Sequence, residues 1–166
     1  MSDDSDDIDD IRTAWQHLRP ELDTAVVDVV GRVLRSAALI TRRADELLAG
    51  FVLTRGEFDI LAVLRRADAP LSPGALRTIS LATGPSTTKR LRSLESRELV
   101  RRSANPDDGR GALIALTPAG IALIDDAFPR LLALERTLVA GIPEARRPAV
   151  VQALREVLAS LDHAAP

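Results

Sequence analysis

Apolar residues recur along this chain with a helical period, interrupted once by two short runs that read as strands. Over residues 8–18, Ile8, Ile11, Trp15 and Leu18 fall on one face of a short helix, and Pro20 then marks a break. From 21 to 49 the set Leu22, Val26, Val29, Val30, Val33, Ala37, Ile40, Ala44 and Leu47 keeps the period and predicts a long helix, with Gly50 as its stop. Thr54-Arg55-Gly56-Glu57 has the form T-x-x-E, in which each end's side chain satisfies a backbone N–H of the other. It opens a helix to about Arg66. Ser72-Pro73 places a capping side chain before a proline at the first helical position, and predicts a short helix to about Ser80. Gly84-Pro85 repeats the device and opens a helix to about Arg97. Two short helices joined by such a turn make a helix-turn-helix.

The pattern then changes. Leu99–Ser103 and Ala112–Leu116 read as strands, and Asn105-Pro106-Asp107-Asp108-Gly109 between them is turn chemistry, so a hairpin with a polar tip is predicted. Thr117-Pro118 caps a further helix over about 118–139, ended by Gly141. Pro143 starts the last helix, which runs to about Leu161 with a stripe of Val150, Val151, Leu154, Val157, Leu158 and Leu161. The fold class expected is mainly α with a small β-wing. A winged helix-turn-helix lobe occupies 54–117, and helices over 8–50 and 118–163 form a second layer. Residues 1–7 read as a disordered acidic tail and 164–166 as a short tail, leaving 8–163 as a single domain.

Composition narrows the function. The chain has 166 residues, and no apolar run approaches the roughly 18 residues that a membrane helix needs. The start, MSDDSDDIDD, is acidic and lacks the apolar core of a secretion signal, so a cytoplasmic location with no membrane partner is expected. With no cysteine, disulfides and thiolate metal sites are excluded, and His17 and His163 stand near opposite ends of the chain. No nucleophile–histidine pair, acid–base pair or phosphate loop is visible, so neither an enzyme nor a cofactor or metal site is expected.

Charge is more telling in its distribution than in its sum. The net charge is −2, yet residues 1–10 hold six aspartates and no base, which leaves +4 on the remainder. Between Ser86 and Arg102 six bases (Lys89, Arg90, Arg92, Arg97, Arg101 and Arg102) face two acids, Glu95 and Glu98. Ser86, Thr87, Thr88, Lys89 and Arg92 sit at the start of a helix, where hydroxyls and cations can donate to phosphates and reach base edges in a major groove. The plainer reading of the same residues is a solvated surface helix. Arg110, at the wing tip, suits a narrow and electronegative minor groove, with Asp108 placed to orient it. The plainer reading there is a surface Asp–Arg pair.

The residues from Gly84 to Gly120 carry a resemblance. Asp108-Gly109-Arg110, followed after five residues by Leu116-Thr117-Pro118-Ala119-Gly120, is similar to the wing and adjoining helix of the MarR family of winged-helix transcription regulators. Gly109 departs from many members, which carry a second basic residue there. The resemblance covers roughly 21–163 and implies a homodimer whose terminal helices form the dimerisation layer, bound to double-stranded DNA. A narrower resemblance, to the urate-responsive branch, rests on the extra N-terminal helix with Ile11-Arg12-Thr13-Ala14-Trp15 and on Gly84-Pro85-Ser86-Thr87. It implies a ligand site made of Trp15, Asp59, Arg90 and Arg102.

Each of these four also has an ordinary reading. Trp15 is either a hydrophobic anchor for its helix or a wall of a pocket. Asp59 has Arg55 as a partner four residues earlier, or repels an anionic ligand. Arg90 and Arg102 contact DNA phosphate, or clamp an anion with their planar forks. The function expected is a ligand-responsive dimeric repressor, released from a pseudopalindromic operator with half-sites about 10 bp apart by a small anionic ligand such as urate. The alternatives are a MarR-type regulator answering a different anionic metabolite and a constitutive DNA-binding protein with no small-molecule switch.

Overall fold

The computed structural model of the chain describes residues 5–79, 87–105 and 111–163. Seven helices and a two-stranded sheet follow in the order α1 (Asp7–Leu18), α2 (Val26–Ala49), α3 (Arg55–Ala67), α4 (Pro73–Ile79), α5 (Thr87–Ser96), β1 (Val100–Ala104), β2 (Ala112–Leu116), α6 (Pro118–Leu138) and α7 (Arg147–His163). A short 3-10 turn, Glu144–Arg146, precedes α7. The chain divides into two compact units, Met1–Phe128 and Pro129–Pro166.

In the first unit the capping chemistry works as its residue types dictate. Thr54 and Glu57 close a reciprocal capping box at the start of α3. The Ser72 hydroxyl accepts from the Ala75 N–H at 3.1 Å and opens α4. β1 and β2 pair antiparallel from Val100 opposite Leu116 to Ala104 opposite Ala112. Leu71, in the turn before α4, extends the sheet by exchanging two backbone hydrogen bonds with Ile114, at 2.9 and 2.8 Å. The hairpin is therefore tied by its inner strand to the helix-turn-helix. The core is built where these elements meet: Leu48 from α2, Ile60 and Leu61 from α3, Leu76 from α4, Leu91 and Leu94 from α5, Ile114 from β2 and Ile124 from α6 are all fully buried. Burying one such side chain stabilises the fold by roughly 1.5–3 kcal/mol.

Three boundaries differ from those the sequence predicts. The long helix begins at Val26 and not at 21. The Asp23 carboxylate accepts from the Ala25 N–H at 3.0 Å, an aspartate turn that competes with helix at this point. Leu22 therefore lies ahead of the helix whose period it fits. At the N-terminus, Asp6 and Asp7 belong to structure and not to a disordered tail. Asp6 caps α1, accepting from the Ile8 and Asp9 N–H groups at 2.9 and 3.3 Å, and Asp9 answers to the Asp6 N–H at 3.1 Å. Aspartates here complement the positive end of the helix dipole, which is why an acidic run can be ordered. Finally, Pro143 opens the 3-10 turn, and α7 proper starts four residues later.

In the second unit, α7 leaves Val150, Val151, Leu154, Leu158 and Leu161 exposed. In the first unit Val26, Val29, Val30 and Leu34 of α2 are likewise exposed. No helix among the described residues is long and apolar enough to cross a membrane.

Candidate nucleic-acid interface and ligand site

The basic helix α5 is amphipathic in a way that sorts its residues. Leu91 and Leu94 are buried, in a helix that packs on α3, α4 and β1. Thr88, Lys89 and Arg92 are left exposed, and Thr87 is half-buried. Among the described residues, no carboxylate lies within ion-pair distance of Lys89, Arg90 or Arg92. Cations left uncompensated on one face suit a polyanionic partner better than they suit folding. Ser86, Asp108 and Arg110, with the Gly84-Pro85 cap, lie outside the described residues. The described hairpin reaches the Asn105 N–H, which donates to the Gly111 carbonyl at 2.9 Å.

What fixes α5 against the rest is a carboxylate that the sequence marks only as half of a capping box. Glu57 is 6% exposed. One of its oxygens accepts from the Thr54 N–H and hydroxyl, both at 2.9 Å, and the other from the Ser93 hydroxyl on α5 at 2.6 Å. Burial pushes the Glu57 carboxyl up. The hydrogen bonds from Ser93 and Thr54, with the charge of Arg97, outweigh it and hold the group below the usual glutamate range. Arg97 in turn donates to the Val52 carbonyl at 2.8 Å, a second tie from the end of α5 to the α2–α3 connection.

Arg90, half-buried, crosses from α5 to lie flat on Gly56 of α3: a Cβ at that glycine would overlap its Nε and Cζ atoms. Asp59 stands one helical turn beyond Gly56, with its side chain only 13% exposed. It pairs with Arg55 at 3.1 Å, and the Arg55 guanidinium also lies 5.9 Å from the Phe58 ring centroid. The structure thus brings Arg90 to the helix that bears Asp59, while supplying Asp59 with its ordinary partner. Arg102, on β1, is exposed and pairs with Glu95 of α5 at 2.8 Å. Trp15 is 47% exposed on α1, a helix that packs on α2. Glu57, Ser93 and Gly56 were not marked as interface residues from sequence. The one available signal was a glycine within the first turn of an otherwise apolar helix.

Comparison with known proteins yields relatives over most of this architecture. The model of the MarR family matches residues 53–111, a span that includes α3, α4, α5 and β1. The HTH-type transcriptional regulator PecS of Dickeya dadantii (strain 3937) is 34% identical over 140 residues, spanning 83% of this chain and 84% of its own length. A crystal structure of the S. aureus MepR-DNA complex superposes with a TM-score of 0.69 at 26% identity, covering 80% of this chain and 96% of MepR. AbsC of Streptomyces coelicolor, a MarR family transcriptional regulator, shares the fold with a TM-score of 0.74 at 21% identity, over 86% of this chain and 98% of its own.

Proposed function

This chain belongs to the MarR family, and on that footing we propose that it is a dimeric DNA-binding repressor, released from a pseudopalindromic operator by a small anionic ligand such as urate. The observation that carries the DNA-binding reading is the exposed face of α5. Thr88, Lys89 and Arg92 project from a helix whose other face is locked in the core, and their charge has no internal partner among the described residues. A recognition helix needs this combination, because its position must be rigid and its cations must be free. The likeness to MepR, which has been solved with DNA, supports the same reading. Ser86, Arg110 and Asp108 join the proposed interface as the helix start and the wing tip. A homodimer is supported by the exposed apolar residues of α2 and, taken by itself, of α7. Double-stranded DNA, a second copy of the chain and a small anion are the proposed partners, and the cytoplasm the proposed compartment.

For the ligand, the proposed set is Trp15, Asp59, Arg90 and Arg102. Its support is the placement of Arg90 between the recognition helix and the turn of α3 next to Asp59, so that an anion drawn to Arg90 would pull on α5. Gel shift of the protein on its own upstream DNA, with and without urate, tests both halves at once. A shifted band abolished by urate is the expected outcome. No band at low salt would remove the repressor reading. A constitutive DNA-binding protein is the second reading, favoured by the pairing of Asp59 with Arg55 and of Arg102 with Glu95. It predicts a band, and Trp15 emission, that urate leaves unchanged.

A further inference from the structure

The seam between α1 and α2 is made almost wholly of charge. Of the apolar residues on α1 only Ile8 is buried, while Ile11 and Trp15 are each 47% exposed and Leu18 is 69% exposed. Ile8 sits over Gly31, where a Cβ would come within 2.9 Å of its Cγ2, so the second turn of α2 carries a notch that admits this one side chain. The rest of the seam is a network. Arg32 reaches Asp6 at 2.9 Å, Asp9 at 2.8 Å and Asp28 at 3.3 Å. Arg35 pairs with Asp7 at 3.0 Å, and Arg12 of α1 lies 3.3 Å from Asp28. The hydrogen bond from Arg32 and its charge draw the Asp9 carboxyl below its usual range, and Arg32 in turn holds its proton more tightly than a free arginine. The seam is also imperfect. Arg12 Nε, 3.3 Å from Asp28, meets it as a charge without a well-aligned hydrogen bond.

We propose that Arg32 and Gly31 are positioning residues that seat the Trp15-bearing helix α1 on α2 as a detachable element, held by an electrostatic latch and released by ionic strength. A single exposed pair would contribute little, but Arg32 joins three aspartates from two helices and so carries the seating of one on the other. With so little apolar area at the seam, loss of the charge contacts leaves Ile8 and the half-covered Ile11 and Trp15 to hold twelve residues of helix. The core of the first unit does not depend on α1, since its fully buried side chains come from α2 to α6. That the latch would thereby set the placement of Trp15 for a ligand rests on the function proposed above. The latch itself does not.

The test is amide hydrogen exchange over α1 in the full-length protein, without DNA or ligand. Arg32→Glu and Asp7→Arg should each speed exchange in α1, Arg32→Glu by about tenfold, the loss typical of charge-assisted hydrogen bonds, with α3 unchanged. The double variant, Asp7→Arg with Arg35→Glu, restores an opposite-charge pair at a contact outside the α1 cap and should recover much of the protection lost in Asp7→Arg, which a merely structural role for Asp7 would not produce. In the unaltered protein, α1 protection and the accessibility of Trp15 to acrylamide should change between about 0.05 M and about 1 M salt, across which screening shortens from beyond the seam to within it. Exchange in α1 that ignores both single substitutions, a double variant no better protected than Asp7→Arg, or α1 protection indifferent to salt would overturn the proposal. None of these outcomes bears on whether the protein binds an operator.

Discussion

Gly120 shows most sharply what one residue does here. The Thr117 hydroxyl accepts from the Gly120 N–H at 3.1 Å and donates to the Glu98 carbonyl at 2.6 Å, while the Thr117 N–H donates to the Leu99 carbonyl at 3.1 Å. This seats the first turn of α6 on the residues just before β1, so closely that a Cβ on residue 120 would overlap the Leu99 carbonyl oxygen. Gly120→Ala should cost about 1–3 kcal/mol or more, because that oxygen is backbone and cannot move aside. Gly56→Ala meets only the end of the Arg90 side chain, which can swing away, and alanine gains up to about 1 kcal/mol in helix. Thermal unfolding should therefore show a large loss for Gly120→Ala and almost none for Gly56→Ala; equal losses would contradict the geometry. Glu57 supplies a second residue-scale test. Its folded pKa is depressed, so its contribution to stability is present above the ordinary glutamate range and is lost as pH falls through the folded value. Glu57→Gln should flatten the acid side of a stability–pH profile, and an unchanged profile would mean the carboxylate is not held by Ser93 and Thr54. The motif Leu116-Thr117-Pro118-Ala119-Gly120 was legible in the sequence as a pattern, and Thr54-x-x-Glu57 as a cap. Their partners, Leu99 and Ser93, were not, because both contacts join segments that only the fold brings together.

At the scale of elements, local signals were read best where a side chain and a backbone group a few residues apart decide the outcome. The starts of α3 and α4 follow Thr54 and Ser72, and both strands lie within one residue of the runs that predict them. The start of α2 was missed because periodicity alone cannot see that the Asp23 side chain outbids helix. The bridge from Leu71 to Ile114 was invisible for another reason, since a single residue in a turn has no period to detect. The proposed function turns on α5 as recognition helix, and its two faces make separable predictions. Arg92→Ala should leave unfolding unchanged, because Arg92 is exposed and unpaired among the described residues. If Arg92 meets a base, operator affinity falls by about 1–3 kcal/mol and discrimination relaxes at one position; if it meets a phosphate, the salt slope of binding falls by about one. Either outcome keeps α5 in the groove. Unchanged affinity and slope would take Arg92 out of the interface.

The whole molecule must couple these elements if a ligand is to govern DNA. The route available in the first unit runs from Asp59 on α3, past Gly56, to Arg90 on α5, and the hydrogen bond from Ser93 to Glu57 joins α5 to α3. Asp59 is paired with Arg55 at 3.1 Å, so an anion at the proposed site would not meet a bare carboxylate. It would meet an ion pair, to be opened by competing for Arg55 or by approaching Arg90. Asp59→Asn weakens that pair and removes a repulsive charge, and should therefore keep or tighten urate binding. It should also blunt release from DNA, because the rearrangement of α3 that the opened pair would drive no longer occurs. Arg102→Ala removes an attractive charge of the proposed set and leaves Glu95 without its partner, so it should weaken urate binding with a smaller effect on DNA. By linkage, whatever factor urate takes from operator affinity the operator takes from urate affinity. Titrating urate against Trp15 emission, with and without operator, measures that factor from both sides. If Asp59→Asn and Arg102→Ala leave it unchanged, the anion is sensed elsewhere, and α3 serves only to hold the recognition helix in place.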